Sequence, residues 1–150
     1  RHGVGRPRFV YYLTSKGYEA IPTNFLQLSN QALATMKRVL GKDALIDLLR
    51  QIGKDLANAY QRSEALTPEQ LLPQIVTRLS QDGFYWTWHK TGDTYNLTSR
   101  YCPFLKLGQN HPEICTINQA LLESLIRQPV VKSSCVLRGD KACAYTFEVL

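Results

Sequence analysis

Residues Phe84-Tyr85-Trp86-Thr87-Trp88-His89-Lys90-Thr91-Gly92-Asp93-Thr94-Tyr95-Asn96-Leu97-Thr98-Ser99-Arg100 decide the fold. Both arms are rich in aromatic and β-branched residues, and Thr91-Gly92-Asp93 between them is a turn, so the stretch reads as a β-hairpin. Residues 129–137 and 142–149 read as a second hairpin around Arg138-Gly139-Asp140-Lys141. Upstream the apolar period changes to that of a helix. Phe25, Leu26, Leu28, Leu33, Met36, Val39 and Leu40 recur at helical spacing and stop at Gly41. Leu45, Ile46, Leu48, Leu49, Ile52, Leu56 and Tyr60 stripe a helix from about Asp43 to Arg62, and Gly53 within it permits a second helix to approach closely. Thr67-Pro68-Glu69-Gln70 opens a helix that Asp82-Gly83 stops. Ile117 to Ile126 forms another. The fold class is therefore α+β: long helices of a dimerisation type, then two hairpins combined in one four-stranded antiparallel sheet.

The chain has 150 residues, 44% hydrophobic and 20% charged, which suits a packed domain and excludes a disordered one. No apolar run reaches the roughly 18 residues that span a bilayer, and no secretory leader is visible. Membrane partners are not expected, and the expected location is cytoplasmic. The sequence opens on Arg1 rather than Met, so it reads as part of something longer. Eighteen Lys and Arg against twelve acids give a net charge of +6. Residues 1–16 carry Arg1, Arg6, Arg8 and Lys16 with no acid, and such a segment attracts phosphate. Gly3, Gly5 and Pro7 make a turn-prone tip, Phe9 to Leu13 reads as a strand, and Thr14 caps a short helix around Lys16 to Ile21. Tip, strand and capped helix match the second half of a winged-helix wing, with Arg1, Arg6 and Arg8 placed to contact DNA. Three regions follow: 1–22, a remnant of a winged-helix domain; 23–66, a helical linker and dimerisation region; 67–150, a cysteine-containing sensor domain.

All four cysteines, Cys102, Cys115, Cys135 and Cys143, lie in the last third, separated by 12, 19 and 7 residues. In a chain without a secretory leader they point to metal or redox chemistry before a disulfide framework. The Cys-Pro pair at Cys102-Pro103 recurs in ferredoxin-type sites. Cys102 ends a strand, Cys115 precedes a helix whose N–H groups favour a thiolate, and Cys143 begins the last strand. Cys102, Cys115 and Cys143 are thus the expected ligands of one iron–sulfur centre. Cys135 is open. A two-residue turn at Gly139-Asp140 sets Cys135 and Cys143 on opposite faces of the hairpin, and a three-residue loop sets them on the same face. The first reading puts Cys135 outside the ligand set, as a possible fourth ligand alongside His89, His111 and Glu113. No nucleophile–base pair, phosphate loop or acid pair stands out, so an enzyme is not expected.

The run from Gly5 to Gly17 resembles the wing of DeoR/ArsR-like regulators. The run from Cys102-Pro103-Phe104-Leu105 to His111-Pro112-Glu113-Ile114-Cys115, followed by Cys135 to Cys143, resembles the sensor half of the SufR-type family. These are iron–sulfur-sensing repressors of the suf cluster-assembly operon. The resemblance implies a homodimer on an inverted-repeat operator, with a [4Fe-4S] cluster on three cysteines that map to Cys102, Cys115 and Cys143. It implies that cluster loss relieves repression. The helix-turn-helix that precedes the wing in that family has no counterpart before Arg1, so this stretch alone is expected to bind DNA poorly. A [2Fe-2S] cluster or a zinc-stabilised interaction domain is the alternative. Another is a small-molecule or redox sensor with a pocket lined by Trp86, Trp88, Tyr95 and Tyr101.

Overall fold

A computed structural model describes residues 9–20, 23–60 and 66–148. Arg1, Arg6 and Arg8 lie outside these residues. Six helices and four strands are described: α1 (Ser15–Glu19), α2 (Phe25–Leu40), α3 (Lys42–Asn58), α4 (Pro68–Gln81), β1 (Thr87–Thr91), β2 (Thr94–Ser99), α5 (Leu105–Gly108), α6 (Cys115–Ile126), β3 (Val131–Ser134) and β4 (Cys143–Glu148). The sheet is antiparallel throughout, in the order β1-β2-β4-β3. The α+β class read from the sequence is the class observed.

Local chemistry accounts for most element boundaries. Thr14 Oγ1 accepts the Gly17 N–H at 3.1 Å and starts α1. Gly41, at φ +88°, separates α2 from α3 in a conformation that side chains resist. Thr67 and Gln70 form a reciprocal capping box, with the Thr67 N–H donating to Gln70 Oε1 at 3.1 Å. Gly92, also at positive φ, turns β1 into β2.

One expectation fails. Phe9 to Leu13 form no strand; they are exposed and without regular structure. Aromatic and β-branched residues favour a pleated, half-buried surface, but a strand persists only with a hydrogen-bonding neighbour, and none pairs with this segment among the described residues.

The core lies between the sheet's inner face and helices α4 and α6. Leu72, Leu79, Leu97, Leu121, Leu122 and Tyr145 are fully enclosed in it. Helix α3 runs along α6, where Leu45 and Leu49 pack with Ile114 and Ile117. Gly53 makes that approach possible: a Cβ there would lie 2.5 Å from the Ile117 carbonyl oxygen and 2.8 Å from Ala120 Cβ. The α3 stripe is divided, since Leu48, Ile52 and Leu56 stay exposed. On α2 no side chain is buried, and Phe25, Leu26, Leu28, Met36, Val39 and Leu40 are exposed.

Candidate metal centre

Alternation along β4 points Cys143, Tyr145 and Phe147 into the core. Cys102 follows β2, whose Ser99 pairs with Cys143, and is buried where the chain leaves the sheet. The Cys102 carbonyl accepts the Leu105 N–H at 3.1 Å and begins the turn into α5. Cys115 is the first residue of α6, after a tight turn over Pro112–Ile114. It is half-buried, while the other three cysteines are buried.

Cys135 enters by a register change. Lys132 pairs with Tyr145, but Ser134 pairs with Ala144, so one extra residue is accommodated between them. This bulge reverses the alternation. Ser134 then shares the outer face with Ala144, and Cys135, still extended at φ −153°, turns inward toward Cys143. The connection is no two-residue turn. It runs through a helical turn at Val136–Arg138 and Gly139 at φ +92°. Asp140 closes it, its Oδ2 accepting the Cys135 N–H at 2.7 Å. The opposite-face premise for Cys135 therefore does not hold.

The Sγ atoms of Cys115 and Cys135 are 3.8 Å apart. About 3.8 Å is also the edge of a tetrahedron with metal–sulfur bonds of about 2.3 Å. The Val136 N–H donates to Cys143 Sγ at 3.5 Å. Lys132 projects to the same side as Tyr145, its Nζ 6.0 Å from that ring's centre. Among the described residues no three His, Cys, Asp or Glu side chains are gathered tightly enough to hold a single metal ion.

Burial sets the protonation of the site, and charge modifies it. Burial pushes the Cys115 thiol up to about 11, with Lys132 offsetting part of the rise. Burial also raises Cys102 and Cys143, opposed by the N–H groups of Phe104 and Val136. Cys135 is the exception. Burial raises it, but the Leu137 N–H and Lys132 outweigh that and leave it below an ordinary thiol. Burial lowers Lys132, and the charges of Cys115 and Cys135 more than reverse this. Tyr145 is held well above its usual range, chiefly by burial, with the neighbouring cysteines acting in the same direction.

The other candidates stand elsewhere. His89 pairs with Asn96, on the sheet face opposite Leu97 and Tyr145, and is exposed. His111 is buried after α5, its Nδ1 without a hydrogen-bond partner among the described residues. Glu113 is buried and bonded to Lys37 Nζ at 2.5 Å. The aromatic set does not line a common pocket. Trp86 packs edge-on against Tyr145, Tyr95 stacks on Phe147, and Tyr101 meets Tyr85 at the surface.

Lys132, Tyr145 and Asp140 are the site residues that motif reading misses. Strand alternation alone could have placed Tyr145 beside Cys143. Lys132 had a weaker signal, as a lysine in a short edge strand.

The donor set suits a thiophilic group in kind. It offers four soft sulfurs from separate elements, backbone N–H groups aimed at them, and one cation against the negative charge that metal-bound thiolates carry. No protein-family model matches the sequence, and no curated protein matches it.

Proposed function

We propose that this chain is the sensor part of a cytoplasmic, homodimeric DNA-binding repressor of the suf iron–sulfur assembly operon, with an iron–sulfur cluster as its signal. The observation that carries the reading is the 3.8 Å approach of the Cys115 and Cys135 sulfurs, next to the end of the sheet where Ser99 pairs with Cys143 and Cys102 follows β2. Cys102, Cys115 and Cys143 are the assigned ligands in this reading, with Cys135, its sulfur 3.8 Å from that of Cys115, as the candidate fourth. An iron–sulfur cluster, of [4Fe-4S] type in this reading, supplies a reversible, oxidant-labile link between thiols distant in sequence. The chain's residues do the rest. Lys132 opposes the negative charge, N–H groups of Phe104 and Val136 orient two of the sulfurs, and the core excludes water.

The Cys102–Cys115 segment also touches the helices before it. Glu113 binds Lys37, and Asn110 Nδ2 donates to Asn30 Oδ1 at 3.0 Å, so two α2 side chains are tied to the segment that carries two of the ligands. Altered order in that segment reaches α2, which follows the basic N-terminus. A change there alters the spacing of DNA-binding elements across a dimer. The exposed apolar residues of α2 and α3 support that dimer.

A zinc-stabilised interaction domain is the second reading, favoured by the 3.8 Å Cys115–Cys135 separation. Anaerobic reconstitution with ferrous iron and sulfide, with visible absorption and metal and sulfide counts, separates the two. The expected result is iron with acid-labile sulfide and a broad visible band, lost in Cys102→Ser, Cys115→Ser and Cys143→Ser. Stoichiometric zinc without sulfide overturns the iron–sulfur reading.

A further inference from the structure

Two sulfurs 3.8 Å apart, 20 positions apart in sequence, are poised for more than metal binding. A disulfide needs them at about 2.05 Å, an approach of under 2 Å. Cys135 lies between a β-bulge and a short helical turn, where small backbone shifts are easier than within a regular ladder. Cys115 lies at the first residue of its helix and is half-buried, so an oxidant reaches it from solvent. Cys143 is held in the β4 ladder with a backbone N–H on its sulfur, and Cys102 is buried.

We propose that Cys115 and Cys135 form a reversible disulfide when no metal is bound. Peroxide, a two-electron oxidant, takes one thiol to a sulfenic acid and leaves as water. The second sulfur displaces the sulfenic oxygen, the S–S bond forms, and a second water departs; two thiols are oxidised and one peroxide is reduced. The bond itself depends only on the metal-free chain. Its regulatory meaning rests on the function proposed above, since Cys115 cannot be a disulfide partner and a metal ligand together. Oxidised chain would be locked against loading until a thiol reductant reopened it.

Trypsin separates the four cysteines: Cys102 falls in 101–106, Cys115 in 107–127, Cys135 in 133–138 and Cys143 in 142–150. Metal-free protein, prepared anaerobically with chelator, is treated with one equivalent of hydrogen peroxide, blocked with an alkylating agent and mapped without reduction. The expected result is loss of two of four thiols and a linked 107–127/133–138 peptide, both reversed by dithiothreitol. Four surviving thiols, or a dominant link through Cys102 or Cys143, overturn the proposal. Protein first loaded with iron and sulfide tests the dependence separately. If it takes up both and yields no link while metal-free protein does, reading and switch stand together. If metal-free protein links but never takes up iron, the disulfide stands and the iron–sulfur reading fails. If iron and sulfide load and metal-free protein gives no link, the disulfide alone fails.

Discussion

Replacing Gly53 by alanine adds one methyl group where α3 crosses α6, and the outcome turns on what that methyl meets. A Cβ built there lies 2.5 Å from the Ile117 carbonyl oxygen, 2.8 Å from Ala120 Cβ and 3.1 Å from the Leu121 nitrogen. Two of these neighbours are helix backbone and the third is a Cβ, so no rotamer change moves them. Reaching ordinary contact, which begins near 3.4 Å, requires α6 to retreat by roughly 1 Å. Overpacking of this kind costs about 1–3 kcal/mol, and rigid obstacles favour the upper end. Alanine returns up to about 1 kcal/mol over glycine within a helix. The balance is a loss of about 2 kcal/mol, or a fall in Tm of about 4–8 °C for a chain of this length. Urea unfolding followed by circular dichroism should show a lower midpoint at an unchanged slope. The proposed metal centre should respond too, because Cys115 opens the helix that is displaced. A Gly53→Ala protein as stable as the parent, or more so, would refute the close α3–α6 crossing.

Two further perturbations test other parts of the fold. Lys37→Met leaves the buried Glu113 carboxylate, 5% exposed, without its cation. This should cost roughly 1–3 kcal/mol at pH 7. Burial raises the Glu113 pKa, but the hydrogen bond from Lys37 and one from backbone outweigh it and hold the group below its ordinary range. A depressed folded pKa gives stability that is present above the unfolded value of about 4.3 and lost as pH falls through the folded one. The gap between Lys37→Met and the parent should therefore narrow as urea titrations are taken from pH 7 down through the acid range, and a gap that stays constant down to full protonation would contradict the ion pair. Thr67→Ala removes half of the α4 capping box and should cost about 1 kcal/mol, seen as a Tm lower by about 2–4 °C.

Helix boundaries were legible because their signals are local. Gly41, the Thr67 box and Asp82-Gly83 act on their own neighbours, and α2 and α4 begin and end where those residues place them. Strand content was legible through alternation, but strand existence was not. Phe9 to Leu13 has the composition of a strand and lacks a partner, and pairing is a tertiary fact. β1 is likewise shorter than its composition suggests, since Phe84 and Trp86 leave the ladder to fill the core. At the candidate site, Cys102, Cys115 and Cys143 were singled out from their positions at element ends, and the structure puts each at or beside such an end. Cys135 and Lys132 depended on a one-residue bulge between Lys132 and Ser134. A shift of one residue exchanges every side chain between faces, so no count of loop residues could have placed Cys135 without it.

Helix α2 raises an energetic question that the rest of the chain does not answer. A helix of 16 residues is marginal in water unless packing supports it, and α2 buries no side chain fully, though Leu33 packs half-buried against Leu45, Leu49, Ile114 and Ile117. Its polar ties to the body, Lys37 to Glu113 and Asn30 to Asn110, are few and partly exposed, and bonds of that kind each contribute about 1 kcal/mol or less. Covering the apolar side chains it leaves in water, Phe25, Leu28 and Val39 among them, would contribute roughly 1.5–3 kcal/mol each if complete. Burial of that face thus outweighs the polar ties, and none of the described residues covers it. The homodimer proposed above would realise it, and would place the helix that holds Glu113 through Lys37 within the contact between subunits.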